Sequence, residues 1–93
     1  MIPVGNPPYK YVDSAGKTTY VKVISFPVPK GSPVSGESMW VKVEEGDENE
    51  GVGVLDNDPV CCVVVKCGGR VRYGGGTDRT KARFLEVLPA KEE

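Results

Sequence analysis

The stretch SMWVKVE, residues 38–44, alternates in polarity with a period of two. Met39, Val41 and Val43 fall on one side; Ser38, Lys42 and Glu44 fall on the other, together with Trp40. Successive side chains of an extended strand point to opposite faces, so the pattern predicts a half-buried β-strand with an apolar inner face. Towards the N-terminus, YKYVDSAGKTTYVKVISFP (residues 9–27) sets two aromatic and β-branched runs around Asp13, Ser14, Ala15, Gly16 and Lys17. Asp opens a turn and Gly supplies a positive φ, which predicts an N-terminal β-hairpin. The intervening VPKGSPVSG (residues 28–36) carries two prolines that no central strand accommodates, and reads as a loop.

Towards the C-terminus, GDENEG (residues 46–51) turns the chain into a short strand over 51–55. That strand ends at Asp56, Asn57, Asp58 and Pro59, a dense cluster of turn-formers. Residues 60–66 are apolar on both faces, which predicts the most buried strand or an apolar connection beneath a barrel. Gly68 and Gly69 interrupt it. In residues 70–73, Val71 and Tyr73 oppose Arg70 and Arg72. GGGTDRTK (residues 74–81) forms a loop, and residues 82–88 form a last strand. Residues 1–8 are an irregular lead-in and 89–93 a charged tail.

Six or seven short strands with no helical period define an all-β class. The expected architecture is a small SH3-like or partly open β-barrel, with a two-sheet sandwich as the competing layout. Ninety-three residues bury one core, so a single domain is expected over 1–93. Twelve Gly and eight Pro beside abundant Val fit turns and strands, not helices. No apolar run reaches the roughly 20 residues of a membrane helix, and the first 30 residues lack a signal-peptide pattern. With three cysteines in no disulfide spacing, a reducing, cytoplasmic setting is expected, and no membrane association.

The net charge is −1, but it is unevenly placed. Glu44, Glu45, Asp47, Glu48, Glu50, Asp56 and Asp58 form an acidic run without a basic residue. Lys66, Arg70, Arg72, Arg79, Lys81 and Arg83 form a basic run with Asp78 as its one acid. Solvated loops produce such runs, and so does an electrically two-sided molecule able to self-associate through opposite patches.

The chain contains no histidine, which removes the commonest general base, the commonest zinc ligand and every histidine-activated nucleophile. No catalytic constellation replaces it, and the expectation is a protein that is not an enzyme and needs no cofactor. Cys61, Cys62 and Cys67, if on one strand, point to opposite faces. Six residues at about 3.3 Å would then separate the outer pair by roughly 20 Å, too far for one tetrahedral metal site. They read as small apolar residues, with Cys67 free for an intermolecular disulfide. Counting from Asp47, glycine falls fifth instead of sixth and no glutamate stands twelfth, so the acidic turn is not a calcium loop.

Two features invite binding. In Gly74, Gly75, Gly76, Thr77, Asp78, Arg79, Thr80 and Lys81, glycines admit close approach of an anion, and Thr, Arg and Lys donate to phosphate oxygens. The same loop is also what tight positive-φ turns require, and no Walker spacing is present. Trp40 lies on the face that should see water. It either caps a second cluster under the 28–36 loop or stands as an exposed aromatic anchor of the kind found at interface hot spots.

The segments SMWVKV, GVGVLDNDPV and GGRVRYG together resemble a bacterial domain-of-unknown-function family, number 2314. The matching residues are Met39, Trp40 and Val41, then Gly53, Leu55, Asn57 and Pro59, then Gly68 and Val71, within residues 37–73. The family's later aspartate-tryptophan signature is absent here, and GGGTDRTKARF stands in its place. The resemblance implies a bacterial or phage setting and a small β-rich fold, and no function.

The expected function is a small protein-binding module, such as an immunity-type or anti-defence inhibitor, presenting Trp40 and one charged patch to a protein partner. The alternative is a binder of a small anionic ligand such as a nucleotide. It would use Tyr73, Gly74, Gly75, Gly76, Thr77, Asp78, Arg79 and Lys81, with Asp56 or Asp58 reading polar groups. Nucleic acid is a weaker reading. Arg70, Arg72, Tyr73, Arg83 and Phe84 interleave aromatic and basic groups, but the sequence pI near 5.5 opposes it.

Overall fold

The alternation at 38–44 appears in a computed structural model as the centre of a ten-residue strand, Glu37–Gly46, with Met39 and Val41 fully buried. The structure describes residues 9–77 and 79–89, so the lead-in, Asp78 and nearly all of the tail lie outside the described residues. Six strands are present among them and no helix: β1 (Lys10–Val12), β2 (Thr18–Phe26), β3 (Glu37–Gly46), β4 (Gly51–Leu55), β5 (Arg70–Gly74) and β6 (Arg83–Leu88). The N-terminal hairpin is β1–β2, with Asp13 Oδ1 accepting from the Ala15 and Lys17 N–H groups in its turn.

Strands β2 to β6 pair with their chain neighbours in antiparallel order. The ring then closes. Ile24 of β2 pairs in parallel with Arg83 of β6, and the Ile24 N–H donates to the Ala82 carbonyl at 2.9 Å. The result is a closed five-stranded barrel with β1 added along β2. One continuous sheet replaces the sandwich alternative, and the closure removes the edges that a partly open barrel would expose.

Closure depends on bulges. Between Val23 and Phe26, β2 advances three residues while β3 advances two, and Ser25 takes up the extra residue with φ of 66°. A left-handed conformation costs a non-glycine residue about 1–2 kcal/mol. The phase change it creates lets Phe26 face inward on the same side as Val21 and Val23, all three fully buried. Burying a phenylalanine contributes about 1.5–3 kcal/mol, enough to offset the strain. Phe26 then meets Phe84 of β6 at 4.9 Å between ring centroids, across the seam where the barrel closes. Val21, Val23, Phe26, Met39, Val41, Leu55, Val71, Tyr73 and Ala82 fill the interior, joined by Cys62 and Val65.

Of the two expectations for residues 60–66, the buried strand is corrected and the connection is what the chain forms, though a largely exposed one. These residues form no strand, and Val60, Val63 and Val64 are exposed, while only Cys62 and Val65 reach the core. The segment belongs to a loop joining β4 to β5, pinched at its base where Leu55 N–H donates to Gly69 C=O and Gly68 N–H donates to Leu55 C=O, both at 2.8 Å. Its backbone is held by a side chain in place of a neighbouring strand. The Glu37 carboxylate accepts the N–H groups of Val60 (2.7 Å), Cys61 (3.0 Å) and Cys62 (2.7 Å). The strand spacing assumed for the three thiols therefore does not apply; Cys62 is buried, Cys61 half-buried and Cys67 exposed.

Candidate functional site

Register on the outer face of the barrel gathers the aromatic residues. Tyr11 of β1 pairs with Tyr20 of β2, Tyr20 with Lys42 of β3, and Lys22 of β2 with Trp40 of β3. Trp40 reaches across β2 to Tyr11, ring centroids 5.1 Å apart at 39°, and the Lys22 ammonium lies 5.2 Å from the indole centroid. Tyr11, Tyr20, Trp40 and Asp56 line an open groove of about 250 Å³. Trp40 is half-buried and Tyr11 is 52% exposed. The indole is thus one wall of a surface cluster with Tyr11 and Lys22 as its ring partners, a position between the two expected for it. The turn after β4 fixes its backbone: Asn57 Oδ1 accepts the Trp40 N–H, and the Asp56 N–H donates to the Trp40 carbonyl at 2.9 Å. That places the Asp56 side chain at the rim. Asp58, two residues on, is exposed.

The glycine-rich loop divides into two environments. Tyr73 is 1% exposed, its ring in the core and its hydroxyl donating to the Asp47 carbonyl at 2.7 Å. Burial, with the Asp47 and Glu48 carboxylates nearby, raises that hydroxyl far above the usual phenol range. Tyr73 is therefore a structural residue and offers no free hydroxyl to a ligand. Gly74 and Gly75 line a shallow groove of about 580 Å³ with Glu45, Glu50, Arg72 and Leu85. Gly76 N–H donates to the Asn49 carbonyl, which ties the loop to the β3–β4 turn. Thr77, Arg79, Thr80 and Lys81 surround a separate concavity of about 130 Å³ with Tyr9. There Thr77 Oγ1 accepts the Arg79 and Thr80 N–H groups, both at 3.1 Å. Asp78 lies outside the described residues. Asp56 lines the aromatic groove and neither of these two, so the expected pairing of Asp56 with the loop is not what the fold brings together.

Much of the uneven charge is consumed internally. Arg70 of the basic run pairs with Glu44 of the acidic run at 2.9 Å, and Arg72 pairs with Glu86. Glu48 accepts from Thr18 Oγ1 at 2.8 Å and from Lys10 Nζ at 3.1 Å, clamping the N-terminal hairpin to the β3–β4 turn. The Thr18 hydroxyl, then its own backbone N–H and Lys10, hold the Glu48 carboxyl below the usual range. The same hydrogen bond raises Lys10. The expected two-sided charge is thereby reduced: Arg70–Glu44 crosses between the runs, while Glu86 and Lys10 each neutralise one member of a run from outside it.

Sequence reasoning singled out Trp40 and missed Tyr11, Tyr20, Lys22 and Glu37. A signal for two of them was present: Tyr11 and Tyr20 sit on either side of the 13–17 turn, where a hairpin register brings them opposite one another. Glu37 gave no signal, because its partners are backbone groups of a loop 23 to 25 residues away. Among the described residues no group of three or more His, Cys, Asp or Glu side chains is placed to hold a metal ion, and no helix is long and apolar enough to cross a membrane. No family model, no curated protein and no solved structure matches this chain.

Proposed function

We propose that this chain is a small, non-catalytic, SH3-like protein-binding module that engages its partner through the Tyr11–Tyr20–Trp40 face. One observation carries the reading: three aromatic side chains from three adjacent strands converge on the outside of a closed barrel, not inside it. Aromatic residues supply large contact area at small entropic cost and dominate interface energetics. The barrel beneath them is closed by backbone pairing all the way round, which favours a preorganised surface. In a bacterial or phage setting, which the family resemblance implies, an immunity-type or anti-defence inhibitor is the kind of protein that works this way. The test is crosslinked capture with the wild type, Trp40→Ala and Tyr11→Ala. Both substitutions are expected to abolish capture and leave the β-sheet circular dichroism unchanged. Undiminished capture by either variant overturns the reading.

A second reading has its own observation. Thr77, Arg79, Thr80 and Lys81 converge with Tyr9 on a concavity large enough for a phosphate group. It supports a small anionic ligand, a nucleotide among them, bound by charge-assisted hydrogen bonds. Calorimetry against inorganic phosphate and nucleoside phosphates, with the double change Arg79→Ala and Lys81→Ala, decides it; no heat from the wild type removes it.

A further inference from the structure

We infer that the Tyr11–Tyr20–Trp40 groove receives an arginine side chain of a partner protein, with Asp56 as its counter-ion, an assignment that rests on the binding-module reading above. The geometry of the rings selects the shape of the occupant. Tyr11 and Trp40 lie 5.1 Å apart at 39°, in contact with one another, so no slot between them admits a cation. What is open is a shelf of about 250 Å³ continued by Tyr20 and bounded by Asp56. A compact ammonium is held best by rings on several sides, whereas a planar guanidinium stacks flat on such a shelf.

The charges agree. The indole already accepts one cation, the Lys22 ammonium at 5.2 Å, and Lys22 does not line the groove, so that space stays free. The Asp56 carboxylate makes no hydrogen bond or ion pair among the described residues, while its backbone N–H is fixed on the Trp40 carbonyl. An immobilised backbone with a free carboxylate at an aromatic rim is a geometry for bidentate guanidinium pairing. Lys22 and Lys42 flank the same face through the β2–β3 register and repel a run of basic residues. The fitting occupant is therefore a single arginine within an otherwise uncharged or acidic segment.

The test titrates the full chain with the acetylated peptide Gly-Gly-Arg-Gly-Gly, followed by the Trp40 indole resonance and by the ring resonances of Tyr11 and Tyr20. Counterparts carrying lysine, trimethyllysine or proline at the central position are run beside it. The arginine peptide is expected to bind at least fivefold more tightly than each of the three, and Asp56→Asn is expected to weaken it at least fivefold. A lysine peptide that binds equally, a preference for trimethyllysine or proline, or indifference to Asp56→Asn overturns the assignment. Sedimentation that reveals a self-associated form broken by Asp56→Asn makes a second copy of the chain the occupant, and equally overturns it. Trp40-dependent capture beside a silent arginine peptide sinks this inference and leaves the module reading standing; a responsive peptide without capture sinks the module reading, and with it the partner protein, and leaves only the groove's preference for a guanidinium.

Discussion

Asn57 holds Trp40 by its backbone: the side-chain Oδ1 accepts the Trp40 N–H, while the neighbouring Asp56 N–H binds the Trp40 carbonyl. One strand residue is thus bonded on both polar groups by a turn 16 to 17 residues later. Removing the acceptor leaves a half-buried N–H unsatisfied, which costs about 1–2 kcal/mol. Asn57→Ala should lower the urea-derived stability by that amount and alter the tryptophan fluorescence, because the turn that positions Asp56 beside the indole is released. Asn57→Asp keeps an acceptor oxygen and should stay within about 0.5 kcal/mol of the wild type. Equal losses from both would mean the side-chain hydrogen bond is not what matters.

The pH dependence has an acid limb set by two carboxylates. Backbone N–H groups of Val60, then Cys62 and Cys61, hold Glu37 below its ordinary value of 4.5, and Thr18, its own backbone N–H and Lys10 do the same for Glu48. A folded pKa below the unfolded one means that the unfolded chain binds more protons in that window. The stability these groups contribute is complete above about pH 4.5 and is lost as pH falls through their lowered folded values. Urea unfolding measured between neutral and acid pH should show this slope, and Glu37→Gln should flatten part of it. At the alkaline end Lys10, raised by its Glu48 hydrogen bond, stabilises until pH rises through its folded value. Tyr73 acts in the same direction. Its phenol ionises in the unfolded chain from about pH 10 and resists ionisation when buried, so the fold weakens as pH climbs.

Gly53 lies in the middle of β4, where glycine is otherwise a poor strand residue. A Cβ placed there would stand 2.3 Å from the Lys42 carbonyl oxygen and 2.5 Å from Val41 Cγ1. Backbone cannot yield as a flexible side-chain tip can, so Gly53→Ala should destabilise the barrel by at least about 1–3 kcal/mol. Gly68 is the control: its φ of +92° strains any side chain, but nothing lies within 4 Å of the added carbon. Gly68→Ala should cost about 1 kcal/mol, the conformational part alone. Thermal unfolding of the two variants separates steric exclusion from backbone preference.

Most of the barrel was legible because alternation survives without knowledge of neighbours. Met39 and Val41 on β3, and Val71 and Tyr73 on β5, face inward as their spacing requires. Residues 51–55 form a strand with the bounds their turn-formers set. The aromatic face was half legible. Trp40 stood out as an aromatic on a polar side, but Tyr11 and Tyr20 gain meaning only once the β1–β2–β3 register places them beside it. A small barrel was expected from the strand spacing, but the seam that decides between a closed and a partly open one was not legible, because it rests on the phase shift at Ser25, and serine announces no left-handed conformation. The run at 60–66 misled for a related reason. Unbroken apolarity signals burial only when both faces are covered, and here a loop pinned by Glu37 exposes most of it.

That misreading yields the sharpest stability test. Within five residues Val63 is 74% exposed and Val65 is 5% exposed, although one is indistinguishable from the other in sequence. Val63→Ser removes little that is buried and should change stability by no more than about 0.5 kcal/mol. Val65→Ala takes methyl groups out of the cluster that includes Leu55 and Val71, and should cost about 1.5–3 kcal/mol through lost burial and the cavity left behind. A central strand would make both substitutions costly, the polar one more so, since a serine hydroxyl would enter the core without a partner. Chemical denaturation of the two variants therefore distinguishes a loop that dips into the core at Cys62 and Val65 from a strand that belongs to the barrel.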